Sequence, residues 1–443
     1  MKNVIKNIKE SPIWLLTIII SVISIVVFIY LPFQINLSSE NTLKKIYYVD
    51  NISEAHRKII NKFNAKYKGS IEVVPVNLPF NHFTTNDRKE ILTRSLRSRS
   101  DGIDVFAVDL IWIPRFAKWG YVMDKRKISS ILNNVNPTAL KACYQNDSLV
   151  AFPHFLDIGV LYYRKDLIRQ LPDGEMIERK IQEGLTWDEF ISLGKRFNPD
   201  ENSYYIFTGG NFEGMMCCFY EMVPENESND VFNNYPINLN TPPIKAGLQR
   251  LVDFIHTYNF SPFAVTKLDE YNSYIYSNEN NAVFLRGWIG YHKQYKRFLR
   301  DTSTAVNMEI APLPHLKDNI TSSVLGGWCL MISKFSNNKE EALKFVDFMF
   351  EKENQKILYE DGGVIPTNNE VFEDKVFVSE HPELVQIKKM LAWGKHRPFL
   401  ENYTRISEIM ALYFHKALKK EISVEEAVNS VSKQINSEKA IVK

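Results

Sequence analysis

The residues with most chemistry to offer are two tryptophans, two aspartates and an arginine, scattered along the chain. In Ser323-Val324-Leu325-Gly326-Gly327-Trp328, the two glycines let the backbone approach a ligand with no Cβ in the way. Trp328 then presents a flat apolar face of the kind that suits one side of a sugar ring. Taken alone, this pattern reads as a core tryptophan after a turn. It is not alone. Asp109 closes the strand-like Asp104-Val105-Phe106-Ala107-Val108-Asp109, and Phe155 and Asp157 stand together in a long apolar segment from Ala151 to Asp166. Phe284-Leu285-Arg286-Gly287-Trp288 supplies the second indole. Arg397 and Tyr403 bracket a segment before the final helices. Sugar hydroxyls want bidentate acceptors and charge-assisted donors, which Asp109, Asp157 and Arg397 can supply. Pyranose faces want flat surfaces, which Phe155, Trp288, Trp328 and Tyr403 can supply.

Other reactive side chains are read differently. Asp104 begins its strand, away from the edge where a ligand would sit. His154 has no other candidate ligand near it in sequence and is expected to be a hinge-region histidine rather than a metal ligand. Trp112, Trp119 and Trp187 are assigned to the core or to the surface of a lobe. The four cysteines make no disulfide framework at this length, and Cys217 and Cys218, adjacent in an apolar run, are expected to be buried thiols. There is no Ser/His/Asp arrangement, no metal-ligand spacing and no phosphate-cradling glycine loop. No cofactor and no metal are therefore expected, and an enzyme is not the favoured reading.

These residues need elements to hold them. Lys45 to Val49 reads as a strand, Ser53 to Tyr67 as a helix capped by Ser53, and Ile71 to Val76 as a second strand. A helix over about Arg88 to Ser98 leads to a strand from Ile103 to Val108. This alternation predicts an α/β lobe with a largely parallel sheet, and Asp109 falls at a carboxyl end, where such sheets place their ligand crevice. The pattern restarts with a strand over Gly159 to Tyr163 and a helix over Thr186 to Phe197, opened by the capping box Thr186-Trp187-Asp188-Glu189. Amphipathic helices are expected over Glu341 to Gln355 and Ile406 to Lys419. At 443 residues the chain is too long for one ordinary core, so two lobes are expected.

Ile13 to Tyr30 carries no charged residue; as a helix it would span about 27 Å, enough for a bilayer core. Lys2, Lys6 and Lys9 precede it, and no Lys or Arg follows before Lys44, which sends the body outside. The run ends in Phe28-Ile29-Tyr30-Leu31-Pro32-Phe33 instead of small residues, so an uncleaved anchor is expected rather than a removed signal. The division is then a cytoplasmic terminus (1–12), an anchor (13–31), a linker (32–43) and the exported body. The formal charge is +2, and residues 1–12 hold three Lys and one Glu, so the body is near neutral. That argues against nucleic acid as a partner; Arg94, Arg97 and Arg99 read as the solvated side of a helix.

With these segments in order, the chain resembles the family 1 extracellular solute-binding proteins of bacterial ABC importers, the maltose and trehalose type. The likeness runs from about residue 45 to residue 430. Phe284 to Trp288 is similar to the Phe-Met-Arg-Asn-Trp of that branch, with Gly287 in place of the usual polar residue. Leu325-Gly326-Gly327-Trp328, and Arg397-Pro398 through Tyr403 followed by Ile406-Ser407-Glu408-Ile409, resemble it as well. The resemblance implies a two-lobed periplasmic-binding-protein-like fold of type II; the transmembrane helix read above precedes it as a departure, in place of the lipidated cysteine common in Gram-positive relatives. It implies lobes of 44–155 with 311–361 and of 156–310 with 362–443, crossed near Phe155–Asp157, Ala311–Pro314 and Gly362–Val364. It also implies a binding site that includes Glu54 and Gly327, although Glu54 is equally a solvated first-turn residue favoured by the helix dipole. With the anchor read above, the function implied is a monomeric, membrane-tethered receptor on the extracytoplasmic face, delivering an oligosaccharide, with trehalose- or maltose-like α-glucosides favoured, to an ABC permease. The alternatives are a receptor feeding a sensor protein, or an anchored glycosidase with Asp109 and Asp157 as acid and base, about 5–10 Å apart.

Overall fold

The computed structural model describes residues 19–24, 43–79, 82–99, 102–126, 128–198, 203–318, 323–400 and 402–439. The body opens as β1 (Lys44–Asp50), α1 (Glu54–Lys66), β2 (Ile71–Asn77), α2 (Thr85–Ser98) and β3 (Val105–Asp109). Ser53 caps α1 as its residue type predicts: its hydroxyl accepts from the His56 N–H, and the His56 ring accepts from the Ser53 N–H. Helix α2 starts at Thr85 instead of Arg88 because Thr84 and Asp87 form a reciprocal cap, with Thr84 N–H donating to Asp87 Oδ2 at 2.9 Å.

The next strand, β4 (Phe152–Arg164), is far longer than the expected Gly159 to Tyr163. Its first half, Phe152-Pro153-His154-Phe155-Leu156-Asp157, contains a proline and no β-branched residue, so its strand character comes from its neighbours. The chain continues through α3 (Trp187–Gly194), β5 (Tyr205–Ile206), α4 (Glu213–Tyr220), α5 (Pro242–His256), α6 (Glu270–Glu279), β6 (Phe284–Trp288) and β7 (Met308–Ala311). The capping box of α3 is present as expected from Thr186 and Glu189. After β8 (Ser323–Ile332), the single helix expected from Glu341 to Gln355 is two, α7 (Lys339–Phe350) and α8 (Lys352–Gly362). Glu351 turns extended between them, and the carboxamides of Asn354 and Gln355 fold back to donate to Phe348 O and Met349 O at 2.7 and 3.1 Å. Those bonds satisfy the last carbonyls of α7 and so favour the break. The chain ends with β9 (Gly394–Lys395), α9 (Tyr403–Leu418) and α10 (Val424–Lys439).

One sheet runs β2-β1-β3-β8-β4-β6-β5, with β9 on β8 and β7 on β4. Strands β1, β2 and β3 are parallel, as the α/β pattern predicts. Strands β4 and β8 are shared by both ends of it. Residues 152–158 of β4 pair with β8, while 159–164 pair with β6 and β7. Residues 328–332 of β8 pair with β3, while Ser323 and Val324 pair with β9. A further bridge joins Leu156 to Ile365. The result is a mixed α/β fold of two lobes that share two long strands. Cys143, Cys217, Cys218 and Cys329 are free and buried. Trp112, Trp119 and Trp187 are core residues.

Residues 19–24 of the expected anchor are helical, with Ile19, Ile20, Val22 and Ile23 exposed. Among the described residues no helix is long and apolar enough to cross a membrane. The rest of that segment, 13–18 and 25–31, and nearly all of the expected linker lie outside the described residues.

Candidate functional site

Where β4 and β8 cross between the lobes, the register sets Gly326 opposite Asp157 and Gly327 opposite Leu156, followed by a bulge at Trp328/Cys329. Gly327 has φ +140°, and a Cβ there would meet the Phe155 carbonyl oxygen at 2.6 Å. At Gly326 a Cβ would lie 2.9 Å from the Trp288 ring. One glycine permits the backbone conformation, and the other makes room for an indole. Gly327→Ala should therefore cost about 1–3 kcal/mol in urea unfolding, the cost of forcing a side chain into a sparsely populated backbone region. An unchanged midpoint would show that the crossing tolerates the strain.

The cleft built on this crossing encloses about 1160 Å³, part of it continuous with solvent. Trp288 and Trp328 both line it. Each indole is backed by a guanidinium: Arg286 lies 4.2 Å from the centre of the Trp288 ring and Arg88 lies 4.0 Å from that of Trp328. A cation on one face fixes the ring and leaves the other for a neutral, weakly polar surface. Trp328 is also held edge-on by Trp112 at 5.9 Å and is only 8% exposed, so it belongs to the core and to the cleft together.

The carboxylates fall into two groups. Arg397 donates from Nη2 to Asp109 Oδ1 at 3.1 Å and from Nη1 to Glu213 Oε1 at 2.7 Å. Burial opposes its charge, but these carboxylates outweigh that and hold the guanidinium firmly ionised. Asp109 also accepts from the Ile111 N–H at 3.0 Å. Among the described residues Asp157 has no such ion pair; it accepts from the Ile158 and Ile289 N–H groups at 2.9 and 3.2 Å, and burial pushes it up to about 7 against those bonds and the charge of Arg286. Glu270 is likewise pushed up to about 7, first by burial and then by Asp269 and Asp109.

For a carboxyl whose folded pKa is raised, the folded state holds the proton more tightly than the unfolded one. Asp157 and Glu270 thus favour folding most at low pH, and that contribution is lost as pH rises from about 4 to about 7. Asp157→Asn should flatten the fall, so the variant gains on the wild type between pH 5 and pH 7.5 in ligand-free melting temperature. A constant difference across that range would contradict the assignment.

Of the side chains singled out from sequence, the cleft gathers Asp109, Phe155, Asp157, Trp288, Gly327, Trp328 and Arg397. It does not gather Glu54 or Tyr403. The Glu54 side chain is 62% exposed, its carboxylate 3.7 Å from Arg57, as its position in the first turn of α1 allows. Tyr403 is buried in α9 and donates to Glu213 Oε1 at 2.8 Å, supporting the carboxylate that holds Arg397. Ser407 donates to the other oxygen of Glu213. Sequence reasoning missed Asp50, His56, Glu213, Glu270, Tyr291 and Tyr295 in the lining. The tyrosine-rich segment Tyr291 to Tyr295 carried a usable signal, aromatic enrichment directly after Trp288. Glu213 and Glu270 look like ordinary first-turn acids, and only the packing of α4 and α6 aims them inward.

A profile of the bacterial extracellular solute-binding proteins matches residues 58–386. A probable ABC transporter-binding protein of Deinococcus radiodurans is 24% identical over 363 residues, covering 79% of this chain and 83% of the relative. Maltose-bound MalE3 of T. maritima superposes with a TM-score of 0.76 at 25% identity, over 89% of this chain and 99% of that one. A solute-binding protein of Agrobacterium vitis S4 with bound D-mannitol superposes at 0.72 with 17% identity, over 90% and 99%, a likeness of fold.

Proposed function

The chain belongs to the bacterial extracellular solute-binding proteins, and from that premise we propose that it captures a sugar for an ABC permease. The observation that carries this reading is the pair of indoles, each backed by a guanidinium, opening on one cleft with the buried carboxyl of Asp157. In the proposed mode Trp288 stacks on a pyranose ring, and Trp328 and Phe155 wall the site. Asp157 takes sugar hydroxyls, while Arg397 keeps Asp109 in place. Trehalose- or maltose-like α-glucosides are the favoured ligands, in line with the maltose held by MalE3 of T. maritima; the mannitol held by the A. vitis protein marks polyols as the class to test beside them.

Delivery would follow closure of the lobes about the strands β4 and β8, the bound sugar shifting the population toward the closed form. The proposed lobes are 44–155 with 311–361 and 156–310 with 362–443. Ala311, His315 and Val324, given to the first lobe, pair with Leu161, Thr186 and Lys395 of the second. Residues 13–31 are proposed to anchor a monomeric receptor, its body outside the cytoplasmic membrane. Membrane fractionation with N-terminal sequencing tests the anchor: a soluble form beginning near residue 35 would overturn it. The receptor reading is tested by melting the full-length protein in detergent across a panel of disaccharides, oligosaccharides and polyols. A true ligand at a hundredfold excess over its Kd stabilises the fold by about 2.7 kcal/mol. A panel without a single shift would defeat the proposal.

A further inference from the structure

Beside the cleft, three buried side chains converge that the sugar reading does not use. Asp50 ends β1, His56 lies on α1 and His154 lies on β4, and they are 2, 5 and 1% exposed. His56 Nε2 is 2.9 Å from His154 Nε2, and Asp50 Oδ2 is 3.5 and 4.0 Å from those two nitrogens. The point in the plane of the three atoms that is equidistant from them lies about 2.1 Å from each, a bond length zinc makes to imidazole nitrogen and carboxylate oxygen. To reach tetrahedral angles, His154 Nε2 and Asp50 Oδ2, now 4.0 Å apart, would draw together by about half an ångström. The supporting contacts also suit an ion. Arg88 donates to the other oxygen of Asp50 at 2.8 Å, and Tyr48 OH donates to Oδ2 at 2.6 Å, which holds the carboxylate in place. Ser53 Oγ lies 2.7 Å from His56 Nδ1, shorter than the 3.3 Å from the Ser53 N–H to the same atom. Binding an ion would move the His56 proton to Nδ1, which would then donate to that hydroxyl in place of accepting from the Ser53 N–H, and Nε2 would be a bare lone pair aimed at a second imidazole nitrogen and a carboxylate oxygen.

We propose that Asp50, His56 and His154 form a binding site for a divalent transition-metal ion, with zinc the best fit to two imidazoles and one carboxylate. The ion would tie β1, α1 and β4 together at the wall of the cleft, to which Asp50 and His56 contribute. His154, expected from sequence to stand isolated, acquires its partners only through the fold. The competing arrangement is metal-free, one histidine donating its Nε2 proton to the other.

The test uses the full-length protein in detergent, stripped with a chelator and titrated with zinc chloride in a calorimeter, with metal content measured after gel filtration. We expect one zinc per chain, lost in His56→Gln and in His154→Gln and kept in His381→Gln, whose ring lies at the surface near Glu360 and Glu383. Cobalt chloride added to the stripped wild type guards against a variant that fails to fold. It should give the strong visible bands of a four-coordinate site. No retained zinc, zinc retained by both cluster variants, zinc lost with His381, or the faint spectrum of six-coordinate cobalt would each overturn the proposal and leave the histidine pair simply hydrogen-bonded.

Discussion

Replacing Arg286 by methionine is expected to lower the unfolding free energy of the ligand-free protein by about 3–5 kcal/mol, the cost of leaving a buried charge without its partner. Arg286 sits on β6 with no exposed surface and donates to both oxygens of Glu221, at 3.0 Å from Nε and 2.6 Å from Nη2. Glu221 is equally buried and also accepts from the Val324 N–H at 3.3 Å, where β8 begins. The guanidinium face meanwhile supports Trp288. One deletion therefore strands a carboxylate, loosens the start of β8 and frees an indole of the cleft. The double variant Arg286→Met/Glu221→Leu should recover much of the loss, because apolar side chains of similar volume often replace a buried pair at little net cost. Urea unfolding of the three proteins checks this; a single variant as stable as the wild type would show that the pair carries no such weight.

Trp328→Ala should have a double effect, and Trp288→Ala a single one. Taken with the other aromatic and charged segments, the sequence suggests that Trp328 serves the ligand more than the core. Its position against Trp112 and Arg88, with 8% of its surface exposed, corrects that. Truncation should cost about 3–5 kcal/mol of ligand-free stability, as removal of a buried tryptophan does. It should also weaken sugar binding by about ten- to a hundredfold, on the scale of about 1.4 kcal/mol per factor of ten. Trp288 is half-buried and rests on Gly326 and Arg286, so its truncation should weaken binding by a similar factor and leave ligand-free melting nearly unchanged. Equal stability losses in both variants, with affinity intact, would make the two indoles core residues.

Much of this was legible because local chemistry and global fold agree. Ser53 and Thr186 cap the helices their residue types predict, and Asp109 ends its strand in the cleft as alternating strands and helices require. What stayed hidden depends on contacts far apart in sequence. The first half of β4 has poor strand propensity and is ordered by pairing with β8, which follows it by well over a hundred residues. The break at Glu351 has no glycine or proline to announce it; it rests on two carboxamides folding back. Tyr403 has the right type for a stacking residue, yet the packing of α9 turns its hydroxyl toward Glu213. The approach of His56 to His154 leaves no trace in spacing.

The central claim is that the cleft at the β4–β8 crossing binds a sugar against Trp288 and Asp157. Its most direct test is calorimetric titration of the full-length protein with maltose and with trehalose, beside Trp288→Ala and Asp157→Asn. The account predicts one-to-one binding of at least one of these sugars to the wild type, weakened about ten- to a hundredfold in both variants. No heat with either sugar, or an affinity that both variants leave untouched, would contradict it.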